Sequence, residues 1–232
     1  MSDLRFEKTI VIVGASRGIG QELVKLFANN GKNRVLAFAR NSENKYLAFP
    51  NITYFPLDLE SKTLVKDFQT ALAQIDKIDI LVNNAGKLIN KPFLDLSLED
   101  IQSSYQVNIF GVMQTVQTIL PKMLADGGHI VNISSMGGFQ GTVKFPGLSA
   151  YSTSKAAVAS FTELFYEEYK ESKVKMNCLC LGAAQTEMLE EAFPGYIAPM
   201  SALKMAEYIH DFALTGQEWF NGKILPVSLS TP

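Results

Sequence analysis

The sequence predicts an α/β protein built on one doubly wound, seven-stranded parallel sheet with helices on both faces. Short β-branched runs alternate with helix-length segments from end to end, the order expected when each parallel strand is followed by a crossover helix. The strands are continuously apolar, as in Ile10-Val11-Ile12-Val13, which suits a sheet covered on both sides. Of the 232 residues, 47% are apolar and 19% charged, a composition too apolar for a disordered chain. A chain of this size buries about 70% of its unfolded surface. No repeat, linker or shift of composition divides it, so residues 1–232 are expected to form a single domain.

Strands are expected over 9–13, 34–39, 52–56, 80–83, 129–133, 174–180 and 223–227, and helices over 18–30, 61–74, 98–124, 151–172 and 201–214. Between the first strand and the first helix stands Gly14-Ala15-Ser16-Arg17-Gly18-Ile19-Gly20. Glycines permit a tight turn and close backbone approach, and the free amides at a helix start attract an anion, so this turn suits a dinucleotide pyrophosphate. Its spacing is Gly-x-x-x-Gly-x-Gly rather than the commoner Gly-x-Gly-x-x-Gly, and structural turns use the same residues. The second strand ends in Phe38-Ala39-Arg40-Asn41, where enzymes using NAD place an acidic residue for the ribose 2′-hydroxyl. Arg40 and Arg17 suit a 2′-phosphate instead, which points to NADP(H); the plainer reading is two solvated arginines. Asp58, after the third strand, either accepts the adenine amino group or caps a helix near Ser61. Asn83-Asn84-Ala85-Gly86 follows the fourth strand at the carboxyl edge, where open α/β sheets bind ligands.

Asn108 interrupts an apolar helix, a costly choice that suits a buried polar task such as holding a water, or a satisfied core amide. The fifth strand runs into Ser134-Ser135, and Tyr151 and Lys155 then share one helix face at i and i+4. Tyr166 with Lys170 repeats that spacing about 22 Å further from the sheet edge, so only the first pair can face a cofactor. A neighbouring ammonium and a nicotinamide charge are expected to lower the Tyr151 pKa and make it a general acid for a carbonyl oxygen. A serine hydroxyl hydrogen-bonds that same oxygen. Cys178 and Cys180 read as core thiols, because neighbours on one strand face suit neither a disulfide nor zinc. The irregular stretch 187–200 reads as a loop or lid over the substrate. Met188, Leu189, Phe193, Tyr196 and Ile197, with Phe139 and Phe145, suggest an apolar substrate portion.

A net charge of −2 without a basic run argues against nucleic acid. No run of about 18 apolar residues is present, and charges occupy the amino terminus where a signal peptide would be apolar; no membrane association and a cytoplasmic location are the expectations. His129 and His210 have no ligand partners at metal spacing, so no metal is expected. Met113, Met123, Met205, Phe161 and Phe165 read as core, and Glu167-Glu168 and Glu190-Glu191 as solvated faces.

The glycine turn, the Asn-Asn-Ala-Gly segment, Ser135 and the Tyr151/Lys155 pair together resemble the short-chain dehydrogenase/reductase family over nearly the whole chain. The resemblance implies a Rossmann fold and a catalytic set of Asn108, Ser135, Tyr151 and Lys155. It implies NADP(H) contacts from Gly14, Ser16, Arg17, Gly18, Ile19, Gly20, Arg40, Asp58, Leu59, Asn84, Ala85, Gly86, Tyr151, Lys155, Gly182 and Thr186. Ser135 is preferred to Ser134 because Gly138 follows it at the family's usual interval. Val13, Leu181-Gly182 and Val227-Ser228-Leu229-Ser230 depart from the family pattern, and the 16 positions from Ser135 to Tyr151 exceed its usual span. The expected activity is NADPH-dependent reduction of a ketone or aldehyde, or the reverse, with 3-oxoacyl thioesters, steroids or aromatic ketones as candidates. A homodimer or homotetramer is implied, and a non-catalytic NADP(H)-binding regulatory protein is the alternative.

Overall fold

The computed structural model describes residues 6–29, 31–40 and 49–229. The charged amino-terminal segment, Asn30, Asn41 and Ser230 lie outside them. Seven strands form one parallel sheet: β1 (Lys8–Val13), β2 (Asn33–Ala39), β3 (Ile52–Pro56), β4 (Ile80–Asn83), β5 (Gly128–Ser135), β6 (Val174–Leu181) and a last strand, Ile224–Val227, in the order β3-β2-β1-β4-β5-β6 and then that last strand. All six pairings are parallel. The chain winds outward from β1 in one direction and, after returning to β4, outward in the other. That reversal opens a crevice at the carboxyl ends of β1 and β4, where such folds hold ligands.

The two faces divide as period-2 alternation requires. On one, Ile10, Ile12, Val82, Val131 and Leu179 pack against α1 (Gly18–Ala28) and, later in the chain, the helix Ala202–Thr215. On the other, Val11, Val13, Leu81, Ile130 and Met176 pack against α2 (Leu64–Ala71), α4 (Gly111–Ile119) and α5 (Ser149–Tyr169), with α3 (Leu98–Tyr105) leading into α4. Helix α1 buries Leu23, Val24, Phe27 and Ala28, the stripe an amphipathic helix presents to a sheet. Deleting such a side chain, as in Phe27→Ala, costs about 3–5 kcal/mol. Pro226 sits on the edge strand, the position in a sheet where a missing N–H is tolerated.

Two expectations need correction. The single helix expected over 98–124 is interrupted by a π-helical turn, Gln106–Phe110, and closed by a 3-10 turn at Leu120–Lys122. The stretch 187–200 is more ordered than a loop: it carries helix α6 (Glu187–Ala192), capped by Thr186. Its stem is closed by the parallel pairing of β7 (Ala184–Gln185) with β8 (Met200–Ser201). The edge strand Ile224–Val227 is β9 and the helix Ala202–Thr215 is α7.

A buried polar ladder crosses the α4/α5 face. The Thr115 hydroxyl on α4 lies 2.9 Å from Asn83 Oδ1, Asn83 Nδ2 donates to Asn132 Oδ1 (2.9 Å), and Asn132 Nδ2 donates to the Thr162 hydroxyl on α5 (3.1 Å). All four side chains are buried. On the opposite face, buried His129 places Nδ1 3.0 Å from the Ala213 carbonyl oxygen and Nε2 3.0 Å from Asn177 Nδ2, so Nδ1 carries the proton.

Candidate active site

The glycine turn leaves β1 with Gly14 at φ +91° and Gly18 at φ +53°, backbone that side chains with a Cβ rarely adopt. A Cβ at Gly14 would stand 2.5 Å from the Ala85 backbone, and one at Gly20 would collide with the Gly14 carbonyl oxygen. The Asn84 side chain fixes the turn from the next strand, donating Nδ2 to the Gly14 oxygen at 2.8 Å. Helix α1 then starts with no side-chain cap and no acidic residue in its first turn, unlike α3, α6 and α7, which Ser97, Thr186 and Ser201 cap. Uncapped amides at the end of a helix attract anions, and this cradle fits a dinucleotide pyrophosphate.

A cavity of about 640 Å³ opens from this cradle along the sheet edge. Arg17, Gly18, Ile19, Asn84, Gly86, Ser135, Tyr151, Lys155, Gly182 and Thr186 line it. Arg40, Asp58 and Leu59, at the ends of β2 and β3, lie beyond this lining. Arg40 is exposed, and its charge acts on Glu60 and Glu191. Asp58 Oδ1 accepts the Glu60 amide at 3.0 Å, making a turn, while α2 starts only at Leu64. The Leu59 side chain is buried in the core. Met188, Leu189, Phe193, Tyr196 and Phe145 line the cavity as expected. Ile197 and Phe139 do not: Ile197 faces solvent, and Phe139 packs against a small cluster with Met136 and Val158.

The two serines separate cleanly. Ser134 is buried and donates to the Lys155 carbonyl at 2.7 Å. Ser135 faces the cavity beside Tyr151 and accepts the Gly137 amide at 3.1 Å. Lys155 is buried, donates Nζ to the Ile133 carbonyl at 2.8 Å, and burial holds its pKa down to about 8. Burial also raises the Tyr151 pKa, against a smaller lowering from Ser135. The expected lowering therefore does not hold for the protein alone, because removing a phenolate from water outweighs its neighbours.

Asn108 sits fully buried within the π-helical turn. Its Oδ1 accepts the Lys87 amide at 2.8 Å, and its Nδ2 donates to the Lys87 carbonyl and to Ser154 Oγ, both at 2.9 Å. Through these bonds its side-chain amide clamps the loop after β4. Lys87 and Ser154, the residues it binds, carry no local sequence signature. Glu190 and Glu191 are exposed, as read, and both also have partners: Glu190 accepts the Gly195 amide at 3.0 Å, and Glu191 pairs with Arg17. Cys178 and Cys180 are free and buried behind Lys155. Among the described residues no group of three or more His, Cys, Asp or Glu side chains is placed to hold a metal, and no helix is long and apolar enough to cross a membrane.

A parallel sheet with a glycine cradle at its reversal and Ser, Tyr and Lys beside it belongs with the nicotinamide-dependent oxidoreductases. The short chain dehydrogenase family model matches residues 8–196, and the chain belongs to the short-chain dehydrogenase/reductase family. It is 36% identical to the oxidoreductase UcpA of Salmonella typhimurium, over 79% of this chain and 72% of that one. It is 28% identical to the 3-oxoacyl-[acyl-carrier-protein] reductase FabG of Chlamydia trachomatis, over 98% of both. A solved short chain dehydrogenase/reductase family protein superimposes with a TM-score of 0.83 at 26% identity, covering 97% of both chains.

Proposed function

We propose that this oxidoreductase uses NADPH to reduce the carbonyl of an apolar ketone, with 3-oxoacyl thioesters as the first substrate class to test. The carrying observation is the placement of Ser135, Tyr151 and buried Lys155 together on the wall of one cavity. Gly14, Ser16, Gly18, Ile19 and Gly20 would hold the pyrophosphate, Arg17 and Arg40 the 2′-phosphate, and Asp58 and Leu59 the adenine end. Asn84, Ala85, Gly86, Lys155, Gly182 and Thr186 would hold the nicotinamide half. When bound, the cofactor supplies a hydride to the carbonyl carbon. Ser135 hydrogen-bonds the carbonyl oxygen, and Tyr151 gives that oxygen its hydroxyl proton. Burial raises the Tyr151 pKa in the protein alone, so the hydroxyl carries the proton to be given near neutral pH. Asn108 acts as a positioning residue through the Lys87 loop.

The apolar wall of Phe145, Leu148, Met188, Leu189, Phe193 and Tyr196 supports an acyl or aromatic substrate, with α6 as its lid. FabG relatives from Chlamydia trachomatis and Aquifex aeolicus, at 28% and 35% identity, support the 3-oxoacyl class. The test follows dihydronicotinamide absorbance with NADPH and 3-oxoacyl thioesters, aldehydes, aromatic ketones, quinones and steroids, with Tyr151→Phe beside the wild type. Turnover lost in the variant supports the reading. Tight NADPH binding without turnover across the panel would favour a binding protein.

A further inference from the structure

Arg17, one of the two cations the proposed function assigns to the 2′-phosphate, already holds an anion. Glu191, on the lid helix α6, meets it fork to fork: Nη1 with Oε1, and Nη2 with Oε2 at 2.9 Å. Arg40 acts on the same carboxylate, and the two arginines hold its pKa down, Arg17 more strongly. A carboxylate offering two oxygens to a guanidinium presents the geometry that a phosphate would present. The pair joins the turn after β1 to a helix 174 positions later in sequence. The end of α6 is fastened as well, where Asn90 Nδ2 donates to the Ala192 carbonyl at 3.0 Å. Glu187 stands nearby and adds to the negative field on Arg17.

We propose that Glu191 is a cofactor-selectivity residue, an internal stand-in for the 2′-phosphate that NADP(H) must displace from Arg17 and that NAD(H) leaves in place. The proposal rests on the assignment of Arg17 to the 2′-phosphate. It makes the preference for the phosphorylated cofactor a difference between two anions competing for one guanidinium. It also ties phosphate binding to the release of one fastening of α6. Both partners are substantially exposed, at 40% for Arg17 and 61% for Glu191. Displacement of such a pair therefore weakens binding only about two- to fivefold.

Isothermal titration of NADP+, NAD+ and 2′,5′-ADP into the wild type, Glu191→Gln, Arg17→Ala and the double variant tests this. Glu191→Gln is expected to tighten NADP+ and 2′,5′-ADP about two- to fivefold and to leave NAD+ unchanged. The gain should vanish in the Arg17→Ala background. Equal tightening of NAD+, or no tightening of either phosphorylated ligand, would overturn the proposal. The wild type's own ratio of NADP+ to NAD+ affinity judges the NADP(H) reading separately. Were the wild type to favour NAD+, that reading would fall, while a phosphate-selective gain in Glu191→Gln would still uphold the role of Glu191.

Discussion

Tyr151 and Lys155 are legible in the sequence because a helix brings i and i+4 together and only the start of that helix reaches the sheet edge. Their titration is not legible, because it depends on burial by residues from β5 and β6. Tyr151→Phe is expected to lower kcat about 10²- to 10⁴-fold with NADPH affinity unchanged, as stopped-flow and titration would show. Alcohol oxidation, which needs the phenolate, should rise steadily with pH above neutrality while ketone reduction stays flat. Lys155 carries the complementary cost. Its folded pKa of about 8 lies below its ordinary 10.5, so the folded state is penalised while the ammonium is charged, and stability rises between pH 8 and 10.5. Lys155→Met should therefore gain about 1–2 kcal/mol at pH 7, after the loss of the Ile133 hydrogen bond, and lose activity. Urea melts at pH 7 and 10 check this, the gain shrinking at the higher pH. His129 behaves in the same sense on the acid side. Its folded pKa of about 4 lies below its ordinary 6.5, so the stability of the neutral form is complete above pH 6.5 and is lost as pH falls toward 4, by up to about 3 kcal/mol. A His129→Gln variant should show a flatter urea midpoint across that window.

Among the elements, the strands were the most readable, since a parallel sheet covered on both faces leaves its mark as unbroken apolar runs. The π-helical turn is hidden: nothing in Gln106-Val107-Asn108-Ile109-Phe110 marks a register shift, and Asn108, polar in an apolar helix, signals only a buried polar role. Asn108→Ala would leave the Lys87 peptide without its side-chain partners and remove one of the two hydrogen bonds of Ser154, whose hydroxyl still donates to the Tyr151 carbonyl, a loss of about 1–3 kcal/mol in stability. As a positioning residue its loss should fall on kcat more than on the affinity for NADPH, and Asn108→Asp, which keeps the acceptor for the Lys87 amide but loses the donor to its carbonyl, should restore only part of the rate. Helix α6 was hidden for another reason. Pro194, Gly195 and Pro199 dominate the segment, yet Thr186 caps its first half and Arg17, distant in sequence, holds it, a partner that no local pattern can show.

For the whole molecule, the single sheet and its topology follow from the alternation of strands and helices, and the glycine turn locates the crevice before any coordinates are known. Assembly is harder to read. Phe110, Met113 and Leu164 leave apolar side chains exposed on the π-helical turn, α4 and α5. A homodimer or homotetramer through that face predicts that Leu164→Glu lowers the sedimenting mass and leaves the circular dichroism spectrum unchanged. The Thr115–Asn83–Asn132–Thr162 ladder carries a consequence for how the fold comes apart. Neither α4 nor α5 can lift from the sheet without stranding an amide between β4 and β5, so partial undocking has no comfortable halfway state. Hydrogen exchange in both helices and in the two central strands should then proceed with one shared opening free energy, and a protease should find the chain either whole or entirely open.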